Sequence, residues 1–162
     1  KDLGCKYVII GHSENRFTGE TDQEINKKVL SALSKKLKVI FCIGETLKQK
    51  KKKITYLVLK KQINRGLKGI KNYKNILIAY EPVWSIGTGV IPSSHELKNN
   101  VAKINKFLSE KTKIKIPVLY GGSINNQNIN NFQNISGIKG FLVGSASQNT
   151  KKFIDIIKKT IN

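Results

Sequence analysis

The 162-residue sequence predicts an α/β fold assembled from parallel βα units, on three observations. Short β-branched runs alternate with helical stretches along the whole chain, with no linker, low-complexity tail or domain boundary. Several of the runs are apolar at successive positions, as strands covered on both faces require. Four of the five runs finish in residues suited to one chemistry, at the strand ends where α/β folds bind ligands.

The elements follow in order. Residues 7–11 read as the first strand, and Thr21 with Glu24 forms a capping box opening a helix whose apolar face is Ile25, Val29, Leu30 and Leu33. The second strand is predicted at 39–43, followed by a lysine-rich helical stretch to about Leu67 and the third strand at 76–80. Ser93 and Glu96 form a second capping box, and Leu97, Val101, Ile104 and Leu108 recur at helical spacing. A fourth strand at 118–120, a short Asn-rich helical stretch and a fifth strand at 140–143 come next. The final helix is expected to bury Phe153, Ile154, Ile157 and Ile161. Five such units are more than half of an eight-stranded barrel and equally suit an open doubly wound sheet; periodicity alone does not choose.

A net charge of +20 raises the question of nucleic acid. The lysines are spread over nearly every predicted helix, however. The one dense run, 48–53, carries no interleaved aromatics and no nucleic-acid motif, so a solvated face is expected. Cys5 and Cys42 are too few for a disulfide framework and form no metal-type cluster, and both read as reduced thiols. No stretch reads as a signal peptide or a bilayer span, which makes a cytoplasmic location the default expectation.

The strand ends carry the chemistry. Glu81 follows an apolar strand, and Pro82 removes a ladder donor and keeps Glu81 extended, so the carboxylate stands at the strand's C-terminal mouth. Gly87-Thr88-Gly89 then supplies backbone that can approach an anion closely. His12 lies between the first strand and a short helix, whose positive end is expected to lower its proton affinity. Gly121-Gly122-Ser123 and Gly144-Ser145 are glycine-bearing turns on the last two strands, suited to a phosphate dianion.

Together these segments resemble the triosephosphate isomerase family, and they stand in that family's order. Gly11-His12-Ser13-Glu14 is similar to its electrophile motif, Phe41-Cys42-Ile43-Gly44-Glu45 to the adjacent strand motif, and Tyr80-Glu81-Pro82-Val83-Trp84 to the base and lid hinge. Tyr120-Gly121-Gly122-Ser123 and Phe141-Leu142-Val143-Gly144 resemble its phosphate site. The resemblance implies a (β/α)8 barrel, here an incomplete one of five βα units in a single domain, 1–162. It implies an isomerase acting on a small phosphorylated triose, with no cofactor and no metal. In it Glu81 is the base and His12 a neutral electrophile, the arrangement this family itself exemplifies, and Glu14 orients neighbouring groups. The N–H groups of Gly87, Ser123, Gly144 and Ser145 hold the phosphate, and residues 83 to about 91 form a lid hinged at Pro82, Val83 and Trp84.

Departures from the family pattern are Asn15 in place of an arginine, Ser145 in place of a common second glycine, and Val90-Ile91-Pro92 at the lid's second hinge. Lys1-Asp2-Leu3-Gly4 resembles the end of the family's third helix. The expectation is therefore that this chain is the C-terminal part of such a barrel, from fourth strand to last helix, inactive alone. The first three strands, an essential Asn-x-Lys lysine and the principal homodimer contacts would then lie outside it. Two other readings are a different phosphate-binding barrel enzyme, such as an aldolase, for which no Schiff-base lysine or metal set is visible at a strand end, and a basic nucleic-acid-binding module.

Overall fold

The computed structural model describes residues 2–161. Its strands are β1 (Tyr7–Ile10), β2 (Lys38–Ile43), β3 (Ile76–Tyr80), β4 (Val118–Tyr120) and β5 (Ile138–Phe141). They lie in one sheet in the order β1-β2-β3-β4-β5, and every pairing is parallel. A doubly wound sheet must reverse its strand order at a switch point. None occurs here, so successive right-handed crossovers lay their helices on the same side, as in a barrel wall. The sheet is not closed, and β1 and β5 are its edges.

Among the described residues seven α-helices connect and follow the strands: α1 (Ser13–Phe17), α2 (Asp22–Ser34), α3 (Leu47–Lys51), α4 (Thr55–Gly66), α5 (Ser94–Thr112), α6 (Asn130–Gln133) and α7 (Thr150–Ile161). The core runs through the three central strands, where Val39, Phe41, Ile43, Ile76, Ile78, Tyr80, Val118 and Tyr120 are buried. Leu97, Val101, Ile104 and Leu108 of α5 are buried as their spacing predicts. Among the described residues no helix is long and apolar enough to cross a membrane.

Several expectations need correction. The fifth strand lies two residues earlier than predicted, at Ile138–Phe141, because Ile138 already pairs with Val118; an irregularity then sets Phe141 opposite Tyr120. The lysine-rich stretch is two helices, broken where Lys53 takes a left-handed φ of 57°. In α2, Ala32 is buried while Leu30 is exposed, since the stripe facing the sheet is centred on Ile25 and Val29. Thr21 and Glu24 make the full capping box, but Ser93 and Glu96 make only half: the Ser93 side chain accepts from the Glu96 N–H, and the Glu96 carboxylate pairs with Lys50 instead.

The largest correction concerns α7. Ile156 is its one fully buried residue, whereas Phe153, Ile154, Ile157 and Ile161 are 36%, 45%, 37% and 77% exposed. The cause is position: β5 is an edge strand, so α7 has sheet on only one side. The opposite edge shows the same effect, with Tyr7 and Ile9 exposed on β1.

Candidate active site

Residues at or just beyond the ends of β1, β3, β4 and β5 line one cavity of about 680 Å³. Glu81 sits there because β3 stops at Tyr80 while the backbone on either side remains pinned. The Glu81 N–H donates to the Ile43 carbonyl at 2.8 Å, and the Gly121 N–H donates to the Tyr80 carbonyl at 2.9 Å. The side chain is buried; Oε1 lies 3.3 Å from His12 Nε2, and Oε2 is buried with no partner among the described residues. A buried carboxylate oxygen without a donor is costly, and it belongs to a side chain that lines the cavity.

His12 caps α1, and its Nδ1 accepts from the Glu14 N–H at 3.4 Å. That contact favours a ring whose proton is on Nε2, facing Glu81. The expected lowering of its proton affinity by the helix end is nevertheless overturned. The contact with Glu81 holds His12 above its ordinary value of 6.5, outweighing desolvation, and the charge of Glu14 adds to it. Glu14 itself is exposed and also lines the cavity, with Oε2 3.9 Å from His12 Nδ1.

A pKa raised by folding means that the native chain holds this proton more tightly than the unfolded one. The resulting stabilisation is complete below 6.5 and is lost as the pH rises through the higher folded value. The melting temperature should therefore carry a component that declines as the pH is raised above 6.5, and His12→Gln should remove it. Identical melting profiles for the two proteins would contradict the His12–Glu81 pairing.

The glycine turns complete the cavity. Gly87, Ser123, Gly144 and Ser145 all line it. Ser123 has a left-handed φ of 43°, a conformation that costs a side-chain-bearing residue energy and that surrounding contacts must hold. Asn128 Nδ2 donates to its carbonyl at 2.9 Å, and its hydroxyl donates to the Ser85 carbonyl, tying the turn to the segment after Glu81. Gly87 and Gly89 have φ of 68° and 74°, and a Cβ added at either would meet nothing within 4 Å. Pro82, Val83 and Trp84 do not line the cavity; Val83–Ser85 form a single 3-10 turn between the lining residues Glu81 and Ile86.

Two features escaped the sequence reading. Arg16 binds the Gly11 carbonyl at 2.9 Å, the Cys42 carbonyl at 3.2 Å and Asp22 at 2.8 Å, which fixes the end of β1 against the end of β2. The other is Glu45, which in sequence belongs to a motif without an assigned role. It is fully buried, and it accepts from Trp84 Nε1 at 2.8 Å and from the Tyr80 hydroxyl at 3.2 Å, while Asn100 donates to that hydroxyl at 3.0 Å. Burial pushes both the Glu45 carboxyl and the Tyr80 hydroxyl up. The available signal was a glutamate just past an apolar strand, as Glu81 is past its own. Cys5 is an exposed free thiol and Cys42 a buried one, with its pKa raised by burial and by Glu81 beside it.

The family model described as Triosephosphate isomerase matches residues 1–160. Relatives carrying that name include those of Thermodesulfovibrio yellowstonii, 43% identical over 98% of this chain and 66% of the relative, and Dictyoglomus turgidum, 45% identical over 98% and 66%. The Saccharomyces cerevisiae protein is 43% identical over 97% of this chain and 65% of its own length. The chain thus spans just under two thirds of the curated relatives it matches.

Proposed function

The chain belongs to the triosephosphate isomerase family, and from that premise we propose that its cavity interconverts dihydroxyacetone phosphate and glyceraldehyde 3-phosphate. The observation that carries the reading is the buried, donor-free Glu81 Oε2 at a strand mouth shared with His12 and the glycine turns. In this reading the Glu81 carboxylate takes a proton from the carbon next to the substrate carbonyl, leaving an enediolate, and returns it to the neighbouring carbon. His12 donates from Nε2 to the carbonyl oxygen and relays the proton between the two oxygens. Since His12 and Glu81 stand 3.3 Å apart, a substrate seated between them must part the pair. That withdraws the contact raising His12 and returns the ring towards neutrality. The N–H groups of Gly87, Ser123, Gly144 and Ser145 receive the phosphate, and residues 83–91 close over it and exclude water.

In the same proposal the five strands correspond to the fourth to eighth of the family barrel, as one incomplete barrel domain. That the glycine turns fall on β4 and β5 supports this, because phosphate sites in these barrels are built on the last two strands. A cytoplasmic homodimer that binds neither nucleic acid nor membrane is the accompanying expectation. The test is a coupled isomerase assay of the 162-residue polypeptide alone and mixed with the remaining third of a relative. Two apolar sheet edges, and a strand correspondence that leaves the lysine after the family's first strand outside this chain, lead us to expect activity only on mixing. Failure to interconvert the two triose phosphates in any mixture would overturn the functional reading, and full activity alone would overturn the strand correspondence.

The phosphate assignment has its own check. Ser145 is exposed, and Ser145→Asp places a negative charge where the dianion is expected. The melting temperature should be unchanged while inhibition by inorganic phosphate weakens by about tenfold or more, as like charges in contact require. Unaltered inhibition would move the phosphate elsewhere.

A further inference from the structure

The indole of Trp84 is held on its edge and on its face by different elements. Glu45, just past β2, accepts from Nε1, while the Lys50 ammonium at the end of α3 lies 3.5 Å from the ring centroid. Cation–π attraction operates within about 6 Å of a centroid, and the two other such contacts among the described residues are longer, at 5.1 and 5.4 Å. Lys50 is tethered as well: its Nζ is 2.7 Å from Glu96 Oε1 and 2.9 Å from Oε2. Glu96 belongs to the first turn of α5, immediately beyond segment 83–91, so the pair spans from one end of that segment to the other. Its neighbours Lys48, Lys51, Lys52 and Lys53 are exposed, whereas Lys50 is half-buried. One lysine of the run thus differs from the solvated rest.

We propose that Lys50, clamped by Glu96, is a positioning residue that seats the Trp84 indole against Glu45 and so sets the resting position of the lid hinge. The consequence for the lid rests on the functional reading above. The seat does not, because it follows from contacts present without ligand. A hinge ring gripped on face and edge cannot rotate until one grip is released, so removing the cation should free the ring while leaving the buried carboxylate contact in place.

Trp84 is the only tryptophan of the chain, so its fluorescence reports this ring alone. Acrylamide quenching should be measured on the 162-residue chain and on its Lys50→Met, Lys50→Arg and Glu96→Gln variants, with circular dichroism to verify folding. Lys50→Met should raise the quenching slope roughly two- to fivefold, the effect of one partly exposed cation–π contact. Lys50→Arg should stay near the parent, since a guanidinium stacks on the ring and pairs with a carboxylate. Glu96→Gln should fall between them. Parent-like quenching in both Lys50→Met and Glu96→Gln, or failure of arginine to rescue, would overturn the proposal. Titration of the same samples with inorganic phosphate separates the two readings. A quenching difference that persists while phosphate leaves every emission spectrum unchanged counts against the lid, not against the role of Lys50.

Discussion

Glu81→Gln in the catalytically competent protein is expected to lower turnover by about 10²–10⁴-fold or more, the usual worth of a positioned general base. The amide keeps the shape of the carboxylate and its place beside His12 at the end of β3, so the cavity and its glycine turns should be undisturbed. The orphaned oxygen is what changes. Oε2 is buried without a donor, and the carboxylate can accept a proton; neither terminal atom of a glutamine side chain can act as a base. The expected pattern is therefore a collapse of kcat with inorganic phosphate still inhibiting at near-parent concentrations. Steady-state kinetics with phosphate as inhibitor measures both. Turnover within a few fold of the parent would remove Glu81 from the chemistry, and loss of phosphate binding in parallel would point to a collapsed cavity.

Gly44→Ala is expected to have the second largest effect, on stability and on the base together. A Cβ at Gly44 would stand 1.8 Å from the Glu81 carbonyl oxygen and 2.7 Å from its carbon, closer than any real contact allows. Neither side can retreat easily. Gln62 grips Gly44 through its N–H at 2.9 Å and its carbonyl at 3.0 Å, and Glu81 and Val83 are bonded across to Ile43 and Glu45 at 2.8 and 3.0 Å. Overpacking of this kind typically costs about 1–3 kcal/mol, and rigid backbone on both sides places this site at the upper end. Because the atom displaced is the carbonyl of the base itself, turnover should also fall sharply, as small misplacements of a reacting group do. Chemical denaturation and kinetics on the same variant check the two effects. A variant as stable and active as the parent would mean that the ends of β2 and β3 do not approach as described.

Much of the site was legible because strand-end chemistry is local. An apolar run, a carboxylate and a proline in succession define where β3 stops and what it presents, and no distant contact is needed to say so. The same holds for the glycine turns after β4 and β5 and for the Thr21–Glu24 capping box. The spacing of Leu97, Val101, Ile104 and Leu108 likewise named the buried stripe of α5, because helical period and burial are tied to each other.

What the tertiary structure alone decided depends on partners far away in the chain. Periodicity left a barrel and a doubly wound sheet equally open, and only the unbroken order of β1 to β5 chose between them, because strand order is a relation among elements and not a property of any one. His12 read as a ring kept neutral by a helix end until Glu81, sixty-nine positions later in sequence, proved to lie 3.3 Å away and raise it. Glu45 and Lys50 had no visible role because theirs arises only where β2, α3, β3 and α5 meet around Trp84. The apolar residues of α7 show the converse: their pattern correctly announces a face made to be covered, but burial needs a neighbour, and at an edge strand there is sheet on one side only.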